Sequence, residues 1–134
     1  MIIGSVSENR DLEKRISITP EIAKKYINLG FEIQLSKNYG KHLGFNEIEY
    51  KNFGVKFIDD EKKIIENADI IIQINLLDED KISLLKSNQT IIGVLNPFEN
   101  KKIINDLAKK KINLFSLELL PRITRAQSMD ILSS

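Results

Sequence analysis

Cysteine and tryptophan are absent from the 134 residues, and histidine occurs once, at position 42. Without cysteine there is no disulfide framework, no thiolate metal site and no cysteine nucleophile. One histidine is too few for a His-rich zinc site, so no metal is expected. An excess of one charge sign is missing as well: 20 basic and 19 acidic side chains leave a formal charge of +1. No strong field draws nucleic acid or an anionic membrane, and neither is expected as a partner. No run approaches the ~18 apolar residues that span a bilayer. The apolar start is too short for a signal peptide, and charges follow at once. The chain is expected to be soluble and intracellular, which does not prevent it from docking on a membrane partner. The six glycines, at 4, 30, 40, 44, 54 and 93, form neither G-x-G nor G-x-x-x-x-G-K. The phosphate-cradling fingerprints are therefore absent too.

What is present is ordinary globular composition, 42% hydrophobic and 29% charged, in a length that suits one domain or a piece of a larger protein. Short apolar runs alternate with amphipathic stretches. Strands are predicted over 2–6, 31–35, 55–58, 69–74, 90–95 and 112–116. The run Ile70-Ile71-Ile72-Gln73-Ile74 is apolar on both faces, as buried parallel strands are. Thr19-Pro20-Glu21 is a strong helix start, with a capping Thr, Pro in the first helical position and Glu near the positive end of the dipole. That helix stops at Gly30. Further helices are predicted over 46–53, 61–67, 78–86 and 97–110, the last with Ile103, Ile104, Leu107 and Ala108 as its core stripe. Strict alternation of strand and helix predicts a three-layer α/β domain with a mostly parallel sheet flanked by helices. It would be Rossmann-like or flavodoxin-like, without the dinucleotide fingerprint.

Most charged clusters have plain explanations. Asp78, Glu79 and Asp80 complement a helix N-terminus, and Lys109-Lys110-Lys111 a helix C-terminus. His42, in a glycine-flanked loop, reads as a polar surface residue before it reads as a general base. Arg15 has two readings. It lies after the first strand and just ahead of a capped helix, where an open α/β sheet binds ligands and a guanidinium clamps a carboxylate or phosphate. Alternatively it forms a surface ion pair with Glu8, Asp11 or Glu13.

The last segment, PRITRAQSMDILSS, is the richest. Thr124-Arg125-Ala126-Gln127 has capping-box form and opens a helix. Gln127, Asp130 and Ser133 share one face of it, and Ala126, Met129 and Leu132 occupy the neighbouring face. Amide, carboxylate and guanidinium groups together supply the donors and acceptors that a carboxamide and a ribose require. The plainer reading is that Gln127 closes the capping box while Asp130 pairs with Arg125 or Arg122. A domain rarely ends in mid-helix, so the chain is expected to be a fragment of a longer protein.

RISITP after an N-terminal strand, the turn into LGFEIQL, the loop through YGKHLGF and the strand ADIIIQIN resemble the N-terminal domain shared by alanine dehydrogenases and transhydrogenase alpha subunits. The segment PRITRAQSMDILSS resembles the transhydrogenase signature more specifically. The resemblance spans essentially the whole chain. It implies that Arg122, Arg125, Gln127, Asp130 and Ser133 lie near the nicotinamide end of NAD(H), with Gln127 and Asp130 orienting the ring. A Rossmann NAD-binding domain would follow, NADP(H) would sit on a separate domain, and a membrane part would couple hydride transfer to proton translocation. The family also implies a homodimer on the inner face of the plasma membrane. The fragment alone is expected to be inactive. An alanine dehydrogenase would carry a lysine at the Asn75 position and a histidine at the Asn96 position. Both are asparagine here, which argues against oxoacid chemistry and for a structural Arg15. A non-catalytic interaction module that kept the fold is the remaining alternative.

Overall fold

The computed structural model describes residues 1–116 apart from Arg10, Leu12 and Pro97. The predicted cofactor-side residues Arg122, Arg125, Gln127, Asp130 and Ser133, and the helix predicted to start at Thr124, lie outside the described residues.

Six strands and five α-helices alternate along the described chain: β1 Ile2–Ser5, α1 Pro20–Asn28, β2 Glu32–Ser36, α2 Glu47–Asn52, β3 Lys56–Ile58, α3 Glu61–Asn67, β4 Ile70–Asn75, α4 Glu79–Ile82, β5 Thr90–Val94, α5 Lys101–Lys109 and β6 Asn113–Ser116. All six strands join one sheet in the order β3-β2-β1-β4-β5-β6, and every pairing is parallel. This is the strand order of the doubly wound dinucleotide-binding fold, and it reverses direction between β1 and β4. The order decides for the Rossmann-like arrangement over the flavodoxin-like one.

Local chemistry explains the helix starts. The Thr19 hydroxyl accepts from the Ile22 N–H at 3.3 Å, the Asn46 side chain from Glu49 N–H at 3.0 Å and the Asp60 carboxylate from Lys62 N–H at 3.0 Å. Each relieves one orphan donor of the first turn. Gly30 follows α1 at φ +102°, a conformation that costs an L-residue energy and glycine little.

Alternate residues of the strands feed two cores, one on each face of the sheet. Ile3, Ile33, Leu35 and Ile72 pack with Ile22 and Ala23 of α1 and Tyr50 of α2. Ile71 and Ile91 pack on the opposite face with Ile64 and Ile65 of α3 and Leu107 of α5. The three-layer prediction therefore holds, with three corrections among the helices. The helix predicted over 78–86 is a single turn, Glu79–Ile82, because Ser83 and the residues after it turn the chain toward β5. The helix predicted from 97 begins at Lys101, since Asn96 takes a left-handed φ of 47° and its carbonyl receives the Glu99 and Asn100 N–H groups in a turn. In α5, Leu107 is buried and Ile103 and Ile104 are half-buried, but Ala108 is exposed. Ala108 follows Leu107 by one residue, about 100° around the helix, and so points away from the face that Leu107 buries.

Candidate functional site at the carboxyl ends of β1 and β4

Between β1 and β4 the backbone ladder is short. Ile3 pairs with Ile70 and Gly4 with Ile71, and the strands then part, as they do at a topological switch point. Side chains take over where the ladder ends. The Gln73 amide oxygen accepts the Val6 N–H at 2.7 Å, and its Nε2 donates to the Val6 carbonyl at 3.1 Å. One amide thus reproduces both halves of a ladder pair. This accounts for the only polar residue inside an otherwise all-isoleucine run: Gln73 is fully buried, and a buried amide must be paired.

The other side of β4 is bulged. Ile72 pairs with Ile92, but the next registered pair is Asn75 with Val94, so β4 carries one residue more than β5. The bulge presses the Gln73 carbonyl onto Gly93, where a Cβ would lie only 2.2 Å from that oxygen. It also leaves the N–H groups of Ile74 and Asn75 directed into the crevice. Glu8 receives them: Oε2 accepts from Ile74 N at 3.0 Å and from Gln73 Nε2 at 2.7 Å, and Oε1 from Asn75 N at 3.2 Å. The cavity that remains, lined by Glu8, Gln73, Asn75, Asp78 and Lys81 among others, is about 30 Å³. That is room for about one water, and far too little for a nicotinamide ring.

A second carboxylate lies beside the first. Glu13 accepts from Arg15 Nε at 2.8 Å, from Arg15 Nη2 at 2.9 Å and from Asn75 Nδ2 at 3.0 Å. Of the two readings of Arg15, the structure shows the ion pair, with Glu13 as the partner; the Arg15 side chain is 70% exposed. The two carboxyls are pushed in opposite directions. Burial raises Glu8 above its ordinary value against the pull of the Ile74 and Asn75 N–H groups, and the Glu13 charge adds to the rise. The Arg15 hydrogen bond holds Glu13 down at about 2. The same pairing raises Arg15.

Behind the crevice runs a buried hydroxyl relay. The Tyr39 hydroxyl accepts the Ser17 and Ile18 N–H groups, both at 3.1 Å, which directs its own proton to Ser5 Oγ, 3.0 Å away. Ser5 in turn reaches the Ile72 carbonyl at 2.7 Å. Burial raises the Tyr39 hydroxyl's pKa, so it stays protonated and able to donate. His42 plays a structural role. Its Nε2 lies 2.6 Å from the Lys14 carbonyl and ties the loop around residue 41 to the strap that carries Glu13 and Arg15. Glu79 and Asp80 lie in the first turn of α4, and Lys109 in the last turn of α5, in keeping with dipole complementarity. Charge pattern along the chain points to Glu8 and Glu13 only as partners for Arg15, and it passes over Gln73. A glutamine inside an isoleucine strand is the signal that could have found it.

The family model described as the alanine dehydrogenase/PNT N-terminal domain matches residues 4–134. The chain belongs to this family. It is 36% identical to the first segment of a divided NAD(P) transhydrogenase subunit alpha from Rickettsia prowazekii, over all of this chain and 36% of that protein. It is 26% identical to alanine dehydrogenase 1 of Staphylococcus aureus, over all of this chain and 36% of that protein. The crystal structure of a transhydrogenase from Sinorhizobium meliloti superposes with a TM-score of 0.86 at 29% identity, over 97% of this chain and 39% of that one. The chain thus spans between about a quarter and just over a third of the length of the curated relatives it matches, and the transhydrogenases are the nearer branch of the two. Among the described residues no helix is long and apolar enough to cross a membrane.

Proposed function

We propose that this chain is the N-terminal portion of the NAD(H)-binding component of a transhydrogenase, which moves hydride between NAD(H) and NADP(H) and couples the transfer to proton translocation. The observation that carries the reading is 36% identity along the entire chain to a transhydrogenase alpha subunit, with PRITRAQSMDILSS inside the stretch that the family model matches. The nicotinamide supplies the hydride chemistry when bound, and the protein's share is position and orientation. Gln127 and Asp130 would orient the ring, and Arg122, Arg125 and Ser133 would contribute to holding the cofactor. The phosphates are left to a Rossmann domain that follows, because this portion carries no glycine fingerprint and its switch-point crevice is filled. NADP(H) belongs to a further domain, and the assembled protein is a homodimer seated on the inner face of the membrane through its complex.

Alanine dehydrogenase activity is the poorer reading. Asn75 is a neutral amide already committed to Glu13, and Arg15 is paired as well, so neither offers an open charge to an oxoacid. The test is an assay of the full-length protein. We expect reduction of an NAD analogue by NADPH, no oxidation of alanine with NAD, and a loss of about 10-fold or more in kcat for Gln127→Ala, as a lost orienting group would cause. Alanine oxidation at a comparable rate would sink the reading. The isolated chain is expected to bind NADH weakly or not at all in isothermal titration.

A further inference from the structure

Glu8 is bound in the way a ligand is bound. Its carboxylate comes from the loop after β1, crosses the gap where the β1–β4 ladder has ended, and takes donors that belong to another strand: the N–H groups of Ile74 and Asn75 and the amide of Gln73. Those N–H groups are free to receive it only because β4 bulges against Gly93. The position, a crevice at the carboxyl ends of the strands where the sheet order reverses, is where open α/β sheets place ligands. We propose that this crevice is a carboxylate-binding site that the chain fills with its own side chain, so that Glu8 acts as a tethered ligand and excludes small carboxylate anions from it.

The surroundings fit an occupant that is held without being locked in place. Among the described residues, the charged groups around it are Glu13 and Arg15 from its own loop, and Asp78 and Lys81 lining the same cavity. Arg15 is committed to Glu13, and Lys81 reaches Glu61 at 3.4 Å. The three donors to Glu8 that the structure describes are all neutral. Burial works against its charge, so the seat gains little from the carboxylate beyond hydrogen bonds that any carboxylate of the same shape would also make. An untethered anion must in addition surrender its own freedom of motion, which gives the tethered group the advantage.

Acetate is the end of a glutamate side chain, and is therefore the probe. In the full chain with Glu8→Ala, sodium acetate titrated against sodium chloride at equal ionic strength should give saturable shifts of the Ile74 and Asn75 amide resonances and a rise in Tm. The wild type should show neither. Glu8→Gln keeps an acceptor oxygen in the crevice, and should also stay unresponsive while keeping the Ile74 and Asn75 amides near their wild-type positions. If Glu8→Ala is unfolded in chloride, recovery of the fold in acetate counts as the same result. Overturning results are an equal acetate response in the wild type, or a Glu8→Ala chain, folded or unfolded, that ignores acetate.

Discussion

The two ends of β4 are built by different rules. At its start, Ile70 to Ile72 sit in a regular parallel ladder with β5, Ile70 and Ile71 pair with β1 as well, and the side chains of Ile71 and Ile72 are sealed in opposite cores. At its end, Gln73 to Asn75 shift register against β5 and have no ladder partner on β1, and the gap is bridged by the side chains of Gln73 and Glu8. The first end is specified by burial, which any branched apolar residue satisfies approximately. The second is specified by one-to-one hydrogen bonding, where each partner has no substitute and an orphaned group is costly. The sheet is thus tolerant where it is regular and exacting where its strands part at the switch point.

The most severe way to break the polar end is Gly93→Ala. The added Cβ would meet the Gln73 carbonyl at 2.2 Å, and the obstacle is backbone, which cannot rotate aside. We expect a loss of roughly 3–4 kcal/mol, at or beyond the upper end of overpacking costs, read by denaturant unfolding; a loss near zero would mean that the bulge is not held as described. Next is Gln73→Ala. It strips partners from the Val6 N–H and carbonyl and from Glu8, and we expect a loss of about 2–3 kcal/mol, together with faster amide exchange at Val6. Unchanged exchange there would argue that the amide bridge contributes nothing to closing the β1–β4 gap.

The paired carboxyls sharpen the comparison without mutation. Glu13 is depressed to about 2, so its contribution to stability is present above the unfolded carboxyl value and is lost as pH falls toward 2. Glu8 is raised, so its contribution is present below the unfolded value and fades as pH climbs through its raised pKa. A carboxyl-resolved NMR titration should therefore find Glu8 above and Glu13 below an ordinary glutamate. Coincident midpoints would contradict the arrangement. The smallest effect is expected at Ser17, whose buried hydroxyl has no hydrogen-bond partner among the described residues. Ser17→Ala removes an unsatisfied polar group, and should be neutral or stabilising by up to about 1 kcal/mol in thermal unfolding.

Much of the fold was legible along the chain, and the failures are instructive. Thr19, Asn46 and Asp60 set helix starts through contacts only two or three residues along the chain, so the starts of α1, α2 and α3 follow from local chemistry. The helix predicted over 78–86 ends at Ile82, where Leu84 and Leu85 close turns onto the Lys81 and Ile82 carbonyls and Leu85 enters the core with Ile91 and Leu107, a contact that periodicity does not carry. Arg15 stayed ambiguous because Glu8, Asp11 and Glu13 are all within its reach along the chain, and only the folded loop selects Glu13. The role of Gln73 is not carried by its sequence neighbours, because its partners, Val6 and Glu8, lie some 67 and 65 residues away. The proposed nicotinamide-side residues, Arg122 through Ser133, rest on family resemblance.

Near-neighbour chemistry and composition were enough for the alternation of strand and helix, the parallel character of the sheet, the helix caps and the lack of a glycine-rich phosphate cradle. The strand order, the bulge against Gly93, the pairing of Arg15 with Glu13 and the seating of Glu8 in the switch-point crevice were decided only in the tertiary structure. All but the Arg15 pairing depend on which distant segments meet, and that pairing depends on how its loop folds. Parallel strands must be brought together by crossovers, and a side chain chooses among equally suitable partners only once they are in place.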